Sequence, residues 1–245
     1  TFRTPLPLLL ALSSVCLAAP ALQSPLEPFQ PDEHTLLLYH FDEGEGTVAR
    51  DASGHGQDGV LKGPQWAKGR FGGGLWFNGS SDSVFLQRPD ALRGLKQITV
   101  ECWFNQDAVS GRRFLVGHDV GFHFEVDDAA AMSISLYNQG GGVPNAEGKP
   151  HQQVLLGGVS VRPGRWHHLA LTYNGGTVSY FLDGVLRGRR DGPRDFSLGA
   201  DSRGLWVGCY VGTDFWYGGL IDEVRVSDVV RYDPEGKLQP GQQVF

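Results

Sequence analysis

The stretch FDEGEGTVARDASGHGQDGVL, residues 41–61, gathers five acidic residues and five glycines in one loop-like segment. Closely spaced carboxylates could hold a calcium ion, or they could accept backbone N–H groups in a tight turn. An EF-hand loop that began at Asp51 would need a glutamate at its twelfth place, where this chain has Lys62. The sequence therefore excludes an EF-hand and favours an Asx-type turn in which Asp51 pins the segment against the final strand.

Asp222 is an acidic residue within the strand-like run GLIDEVRVS, residues 219–227. Strand alternation places its side chain on the same face as Leu220 and Val224, among apolar neighbours. Because an unpaired buried charge is costly, this carboxylate needs a cation, a backbone N–H group or a metal as its partner. We predict a structural role in which Asp222 ties the last strand to a loop.

The elements that must position these residues are strands. Between residues 36 and 226, apolar or alternating runs are separated by clusters of Gly, Asp, Asn and Pro. The 35 glycines, 14 Phe, 7 Tyr and 6 Trp are typical of short strands joined by tight turns, and NGGTVSYFLDGVLRG predicts consecutive hairpins. About a dozen strands without helical crossovers predict an all-β fold, a jelly-roll sandwich of two antiparallel sheets.

The N-terminal residues, with one Arg, an apolar run and then small residues, are typical of a signal peptide. We therefore expect a protein that is secreted, periplasmic or on the cell surface, and no later run is apolar and long enough to span a bilayer. A formal net charge of -6 gives no electrostatic reason to expect nucleic acid as a partner. The predicted organisation is a signal peptide (1–21), a linker (22–33), one domain (34–232) and a C-terminal tail (233–245).

Cys102 and Cys209 remain after the predicted signal peptide is removed. In an oxidising compartment they could form one disulfide. Each also lies in or beside a strand-like run, ITVECWF or LWVGCY, so two buried apolar residues are the alternative. Both interpretations stay open at the level of sequence.

Five landmark stretches follow one another along the chain: YHFDEGEGTVARDASGHGQDGVLKGPQW, GRFGGGLWFNGSSDSVFL, QITVECWF, PGRWHHLALTYNGGTVSYFLDG and YGGLIDEVRVSDVVRY. In this order they resemble the LamG-like jelly-roll family of the concanavalin A-like lectin and glucanase superfamily. Any one stretch is weakly specific, but together they span nearly the whole predicted mature chain. The resemblance implies a secreted sandwich that binds carbohydrate or extracellular protein, often without catalysis.

Laminarinase-type members of that superfamily carry catalytic acids in a Glu-x-Asp-x-x-Glu pattern, which aims the carboxylates into one cleft. Glu125 and Asp127 match the first two places, but the third place falls on Ala130. Trp166 and His168 share one face of the run WHHLALTY, and core packing with a supporting hydrogen bond explains them better than catalysis. We predict that the protein is not an enzyme, with a degenerate glycoside hydrolase as the less favoured alternative.

Calcium is the one cofactor that the resemblance implies. Some relatives with this fold hold a single calcium at the edge of the sandwich with a few aspartates and loop carbonyls. On this chain the resemblance points to Asp42, Asp51, Ser53 and Asp222 as the calcium ligands.

The loops that join the strands are predicted to carry the ligand-binding residues, because loops vary without disturbing the sandwich. Phe215 and Trp216 lie in a Gly-flanked loop, and exposed rings of this kind stack on sugars or form protein hot spots. Asp214 precedes them, and His118 and Asp119 lie at another predicted turn. These five residues form the predicted ligand-binding set.

The predicted function is that of a secreted, non-catalytic module that recognises a carbohydrate or a glycosylated extracellular surface. The main alternative is a structural or adhesive envelope protein that contacts other proteins, which predicts an exposed apolar patch.

Overall fold

The computed structural model describes residues 25–107, 111–118, 121–127, 131–138, 152–192 and 204–232. These residues form two antiparallel sheets of eight strands each, which confirms the predicted all-β sandwich. The helical segment among them is a 3-10 turn, Asp90–Leu92, and no described helix has the length and apolarity needed to cross a bilayer. The predicted signal peptide and C-terminal tail lie outside the described residues.

In chain order the strands are β1 (Thr35–Tyr39), β2 (Val48–Ala49), β3 (Gly59–Lys62), β4 (Gln65–Lys68), β5 (Gly73–Asn78), β6 (Ser83–Leu86), β7 (Ile98–Gln106), β8 (Arg113–His118), β9 (Phe122–Val126), β10 (Ala131–Asn138), β11 (Gln152–Ser160), β12 (Trp166–Tyr173), β13 (Thr177–Leu182), β14 (Val185–Asp191), β15 (Leu205–Val207) and β16 (Gly218–Ser227). Sheet I has the order β14-β13-β12-β7-β16-β5-β4, with β1 also paired to β16. Sheet II has the order β11-β10-β9-β8-β15-β6-β3-β2.

The predicted hairpins are present as β12–β13–β14, with Gly175, Asp183 and Gly184 in the left-handed conformation at the turns. The strands that sequence patterns did not predict are β2, β3 and β4. Each has only two to four residues, which is too short for recognisable alternation.

The hydrophobic core lies between the inner faces of the two sheets. Along each central strand, every second side chain enters this core, as the two-residue period of a strand requires. Strand β7 contributes Ile98, Val100, Cys102 and Phe104, and β9 contributes Phe122, Phe124 and Val126. The residues between them, such as Glu101 on β7 and His123 on β9, therefore belong to the outer faces.

Cys102 and Cys209 are both buried and free, so of the two open interpretations the structure supports two buried apolar residues and not a disulfide. Cys102 packs in the core between the sheets. Cys209 follows β15, and burial raises the pKa of its thiol to about 11. At neutral pH this thiol is therefore protonated and unreactive.

Terminal segments of the described chain cover the outer face of sheet I. Before β1, Phe29 is buried, and its backbone N–H donates to Glu223 Oε2 at 2.8 Å. After β16, Arg231 reaches back to Asp32 with two hydrogen bonds of 2.9 and 2.6 Å. The two segments are thus fastened to each other as well as to the sheet.

Glu101 is the centre of a buried polar network beneath these segments. Its Oε1 accepts hydrogen bonds from Arg225, with Nε at 2.8 Å, and its Oε2 accepts one from the Tyr232 hydroxyl at 2.5 Å. His168 Nε2 lies 3.1 Å from the same Oε2, which confirms the predicted supporting role of His168. The ring of Phe29 lies over the Arg225 guanidinium, 4.1 Å from its Cζ, and closes the network from above.

Candidate functional site

The outer face of sheet II carries a cluster of aromatic side chains that we call the aromatic patch: Phe114, Tyr210 and Phe215. The Phe114 ring stacks on Phe215, with centroids 5.4 Å apart, and lies 4.9 Å from Tyr210. Phe215 is 37% exposed, and Tyr210 is half-buried. His123 of β9 packs edge-on against both Phe114 and Tyr210, at 5.1 and 5.3 Å, and forms the floor of the patch.

A tight turn presents Phe215 on this face. Tyr210 and Asp214 pair as an isolated antiparallel bridge, with the Tyr210 N–H donating to Asp214 O at 2.9 Å. Phe215 then adopts a left-handed backbone, with φ of 53°, and its carbonyl accepts the Phe114 N–H at 2.9 Å. A bulky residue in this conformation costs on the order of 1 kcal/mol, and such strain concentrates at ligand-binding sites.

Arg112 and Glu125 supply the polar groups beside the patch. The Arg112 Nε and Nη2 atoms lie 2.6 and 2.5 Å from Glu125 Oε2. The same guanidinium lies 5.1 Å from the ring centroids of both Phe114 and Phe215, in cation–π geometry. Burial raises the pKa of Glu125, and the Arg112 guanidinium opposes that shift. The result is a charged pair held against the exposed ring of Phe215 and the buried ring of Phe114.

The surroundings of Glu125 and Asp127 can be compared with the two carboxyl groups that a glycoside hydrolase needs. A glycoside hydrolase sets two carboxyl groups on opposite sides of the scissile bond, one as acid and one as base or nucleophile. The side chain of Glu125 is only 4% exposed and binds a guanidinium, whereas Asp127 is exposed. The third place of the hydrolase pattern, Ala130, lies outside the described residues and has no ionisable side chain.

The predicted ligand-binding residues fall into three groups. Phe215 belongs to the aromatic patch, Asp214 is exposed in the adjoining turn, and Trp216 is half-buried next to them in the chain. His118 is only 1% exposed and its ring stacks on Phe122, so its burial in the inner layer corrects the expectation that it contacts a ligand. Asp119 lies outside the described residues.

Phe114, Tyr210 and Arg112 are site residues that sequence reasoning missed. Strict alternation along RFLVGH would set Phe114 and Gly117 on opposite faces. The bulge between Phe114 and Val116 puts both on the outer face, and residue spacing gives no signal for that bulge. No local signal brings Arg112 to Glu125, because that contact depends on the pairing of β8 with β9.

Asp51 has the predicted role as the anchor of a turn. Its Oδ1 accepts the N–H groups of Leu38 and Ser53, at 3.1 and 3.0 Å. Its Oδ2 accepts the Ser53 hydroxyl at 2.7 Å and the Gln57 N–H at 2.9 Å. The Leu38 contact joins the turn to β1, not to the final strand as predicted.

Asp222 ties the last strand to a loop, as predicted. Its Oδ2 accepts the N–H groups of Arg70 and Phe71, at 2.8 and 3.0 Å, and its Oδ1 accepts that of Glu223 at 2.7 Å. Burial raises the pKa of Asp222 to about 7, against the opposing effect of these N–H donors. Asp42 likewise accepts the Gly73 N–H at 2.6 Å.

The predicted calcium ligands do not fit a calcium site. Protein donors already occupy the oxygens of Asp51 and Asp222. Within the part of the chain that the structure describes, no three His, Cys, Asp or Glu residues are arranged to hold a metal ion. Calcium binding therefore remains a prediction, and no set of calcium ligands is assigned to it.

Comparison with protein families gives one match. A family model described as the Concanavalin A-like lectin/glucanases superfamily matches residues 78–235, more than half of the chain. This match includes all three residues of the aromatic patch and the Arg112–Glu125 pair. A search of curated proteins gives no match.

Solved structures with a similar fold include three individual domains. The binding domain of Paraclostridial Mosquitocidal Protein 1 has a TM-score of 0.64 at 13% identity, over 83% of this chain and 51% of that chain. Domain 4 of AbnA, a GH43 extracellular arabinanase from Geobacillus stearothermophilus, was solved with arabinotriose and has a TM-score of 0.54 at 18% identity, over 80% and 93%. The CBM40 of the Ruminococcus gnavus IT-sialidase, bound to alpha2,3 sialyllactose, has a TM-score of 0.53 at 17% identity, over 66% and 92%. The chain thus spans about half the length of the first structure, and these likenesses concern the fold.

Proposed function

The chain belongs to the concanavalin A-like lectin/glucanases superfamily, and from this premise we propose that it is a secreted, non-catalytic module that binds carbohydrate through the aromatic patch. The observation that carries the proposal is the exposed ring of Phe215, held by a strained turn beside the Arg112–Glu125 pair. Aromatic surface with a few fixed polar groups is the usual composition of a small-molecule site.

The outer faces of the two sheets differ in how they are covered, and this difference favours sheet II as the binding face. Phe29 and Tyr232 are 2% and 3% exposed and lie over the Glu101 network on sheet I, so a ligand would have to displace them. The aromatic patch on sheet II has no such cover among the described residues. A ligand can therefore reach Phe215 without unfolding a terminal segment.

We also propose that the protein is not a catalyst, and the contact between Arg112 and Glu125 supports this part of the proposal. A general acid must reach the leaving group of the substrate, but the Glu125 side chain is only 4% exposed and its Oε2 accepts the Arg112 Nε hydrogen bond at 2.6 Å. Among the neighbours that share the fold are a binding domain and a CBM40, although a third is one domain of a GH43 enzyme. Secretion rests on the signal-like N-terminal sequence.

The second candidate ligand at the same patch is a protein, because the chain shares its fold with a toxin binding domain. The described residues expose four large hydrophobic side chains: Leu26, Val60, Leu186 and Phe215. Of these four, only Phe215 lies within the aromatic patch. A protein interface of ordinary size needs a larger apolar centre than one exposed ring provides. Carbohydrate is therefore the favoured ligand.

A glycan microarray tests the proposal with three proteins: the wild type, Phe215→Ala and the control Leu186→Ala. Leu186 is similarly exposed, at 40%, but lies on the edge strand β14 of sheet I. The array would include arabinotriose and both sialyllactoses, because these were bound to domains with the same fold. We expect Phe215→Ala to lose about tenfold in affinity, equivalent to about 1.4 kcal/mol, and Leu186→Ala to bind as the wild type does. Binding to no glycan would contradict the proposal.

A further inference from the structure

A second aromatic group lies on the same outer face of sheet II. Phe85 of β6 stacks on Trp206 of β15, with centroids 4.8 Å apart and ring planes at 29°. The pairing of neighbouring strands places Val60, Phe85, Trp206, Gly117 and His123 side by side in one row across the sheet. Along this row, His123 is the residue that forms the floor of the aromatic patch.

The far end of this row is both apolar and positively charged. Val60 is 50% exposed, and Phe85 is half-buried. The Nζ atom of Lys62 lies 5.4 Å from the centroid of the Phe85 ring. Lys62 is exposed and forms no ion pair with any residue that the structure describes. Its charge is therefore available to an anionic group next to an apolar surface.

The turn Tyr210–Asp214 bridges the two aromatic groups. At one side Gly212 lies against the Trp206 indole, since a Cβ on Gly212 would be 3.3 Å from Trp206 Nε1. On the other side, Phe215 follows the turn and stacks on Phe114. Two strand spacings and two register steps put the Cα atoms of Phe85 and Phe114 about 12 Å apart. This span exceeds one sugar ring, so a single monosaccharide cannot contact both ends.

The polar groups differ between the two ends. At the aromatic patch, the Arg112 charge is already balanced by Glu125, and the exposed carboxylate of Asp214 lies in the adjoining turn. A negative group on the ligand would be repelled there, whereas sugar hydroxyls could donate to Asp214. At the Phe85 end, Lys62 offers a positive charge without a balancing acid among the described residues. Charge complementarity therefore assigns an uncharged ring to the patch and an acidic ring to Phe85.

We propose that the outer face of sheet II has two subsites and binds an acidic oligosaccharide, with one ring on Phe215 and a carboxylate- or sulfate-bearing ring beside Phe85 and Lys62. This inference rests on the proposed function, because it extends the same site. It specifies the ligand class as a chain of at least two or three sugars with a negative charge away from the ring bound at Phe215.

Calorimetric titration with galacturonic acid oligomers of one to four units, and with neutral galactose oligomers of the same lengths, tests the inference. The proteins would be the wild type, Phe215→Ala, Lys62→Gln and Phe85→Ala, with Lys96→Gln as the control for the loss of one exposed charge. Lys96 is also exposed but precedes β7 of sheet I. We expect affinity to rise with chain length and the acidic trimer to bind at least tenfold more tightly than the neutral trimer. Lys62→Gln should remove that difference, and Lys96→Gln should keep it.

The outcomes separate the inference from the proposed function. If short and neutral sugars bind as well as acidic trimers, and Phe215→Ala alone weakens binding, the second subsite is refuted and the proposed function stands. If Lys62→Gln and Phe85→Ala bind every oligomer as the wild type does, the inference is likewise overturned. If neither series binds but the glycan array finds a neutral ligand that depends on Phe215, the acidic ligand class is wrong. If no sugar binds any of the proteins, both proposals fail.

Discussion

Replacement of Glu101 by glutamine tests whether the buried polar network holds the terminal segments against the outer face of sheet I. Glutamine keeps the shape of the side chain, but it removes the charge and replaces one acceptor oxygen with an NH2 donor. The Arg225 guanidinium would then stay fully buried without its anionic partner, and the donors of Tyr232 and His168 would face fewer acceptors.

The size of the effect follows from the buried ion pair and from the pKa of Glu101. Removal of one partner from a buried ion pair typically costs about 3–5 kcal/mol. Burial alone would raise the pKa of Glu101, but the Arg225 charge and the hydrogen bonds from His168 and Tyr232 lower it from 4.5 to about 2. That shift corresponds to roughly 3 kcal/mol of stabilisation of the carboxylate. We therefore expect Glu101→Gln to lower the free energy of unfolding by about 3 kcal/mol, which for a domain of this size is about 6–12 °C in Tm.

Urea unfolding and calorimetry of the two proteins measure this difference. Asp90→Asn is the matched control, because Asp90 and Arg93 form an ion pair of 2.7 Å whose side chains are 55% and 50% exposed. We expect the control to change stability by less than about 1 kcal/mol. If Glu101→Gln also stays within 1 kcal/mol of the wild type, the network does not hold the terminal segments in place and the reasoning is refuted.

Three further predictions follow from the described contacts. Asp51→Asn should lower stability by about 2 kcal/mol, and by the same amount with calcium and with chelator; a loss seen only in calcium would restore the cation site. The pKa of Glu101 is lowered to about 2. The pKa of Asp32 is also lowered, because hydrogen bonds from Arg231 and Thr35 outweigh its burial. Both carboxylates therefore stabilise the fold above about pH 4.5. That stability should be lost as the pH falls from 4.5 towards 2, and a flat unfolding free energy across this window would contradict the assignment. Cys102 and Cys209 should both react with a thiol reagent after unfolding without reductant, whereas failure of both to react would indicate a disulfide.

Sequence patterns predicted most of the fold because the central strands bury alternate apolar side chains. Runs such as ITVECWF and GFHFEV carry this alternation plainly, and they became β7 and β9. Strands β2, β3 and β4 contribute little to the core, so nothing in their composition separates them from loops. Their strand conformation depends on pairing with β6 and β5.

The candidate site was predictable only in part. Phe215 and Asp214 are adjacent in the chain and flanked by glycine, so a loop with an aromatic side chain could be inferred. His118 is the last residue of β8, next to the predicted turn, but its ring stacks on Phe122 and is buried. A position beside a turn did not predict this inward orientation. The Arg112–Glu125 pair depends on cross-strand contacts, which residue spacing along one strand does not contain.

Mapping of a bound glycan by NMR tests the central claim most directly. Backbone amide shifts of the labelled protein would be followed during titration with the strongest ligand from the glycan array. The account predicts that shifts concentrate at Phe114, at residues 210–216 and at Glu125, with the amides of Glu101 and Arg225 on sheet I unchanged. Shifts centred on sheet I, or no saturable shift at all, would contradict it.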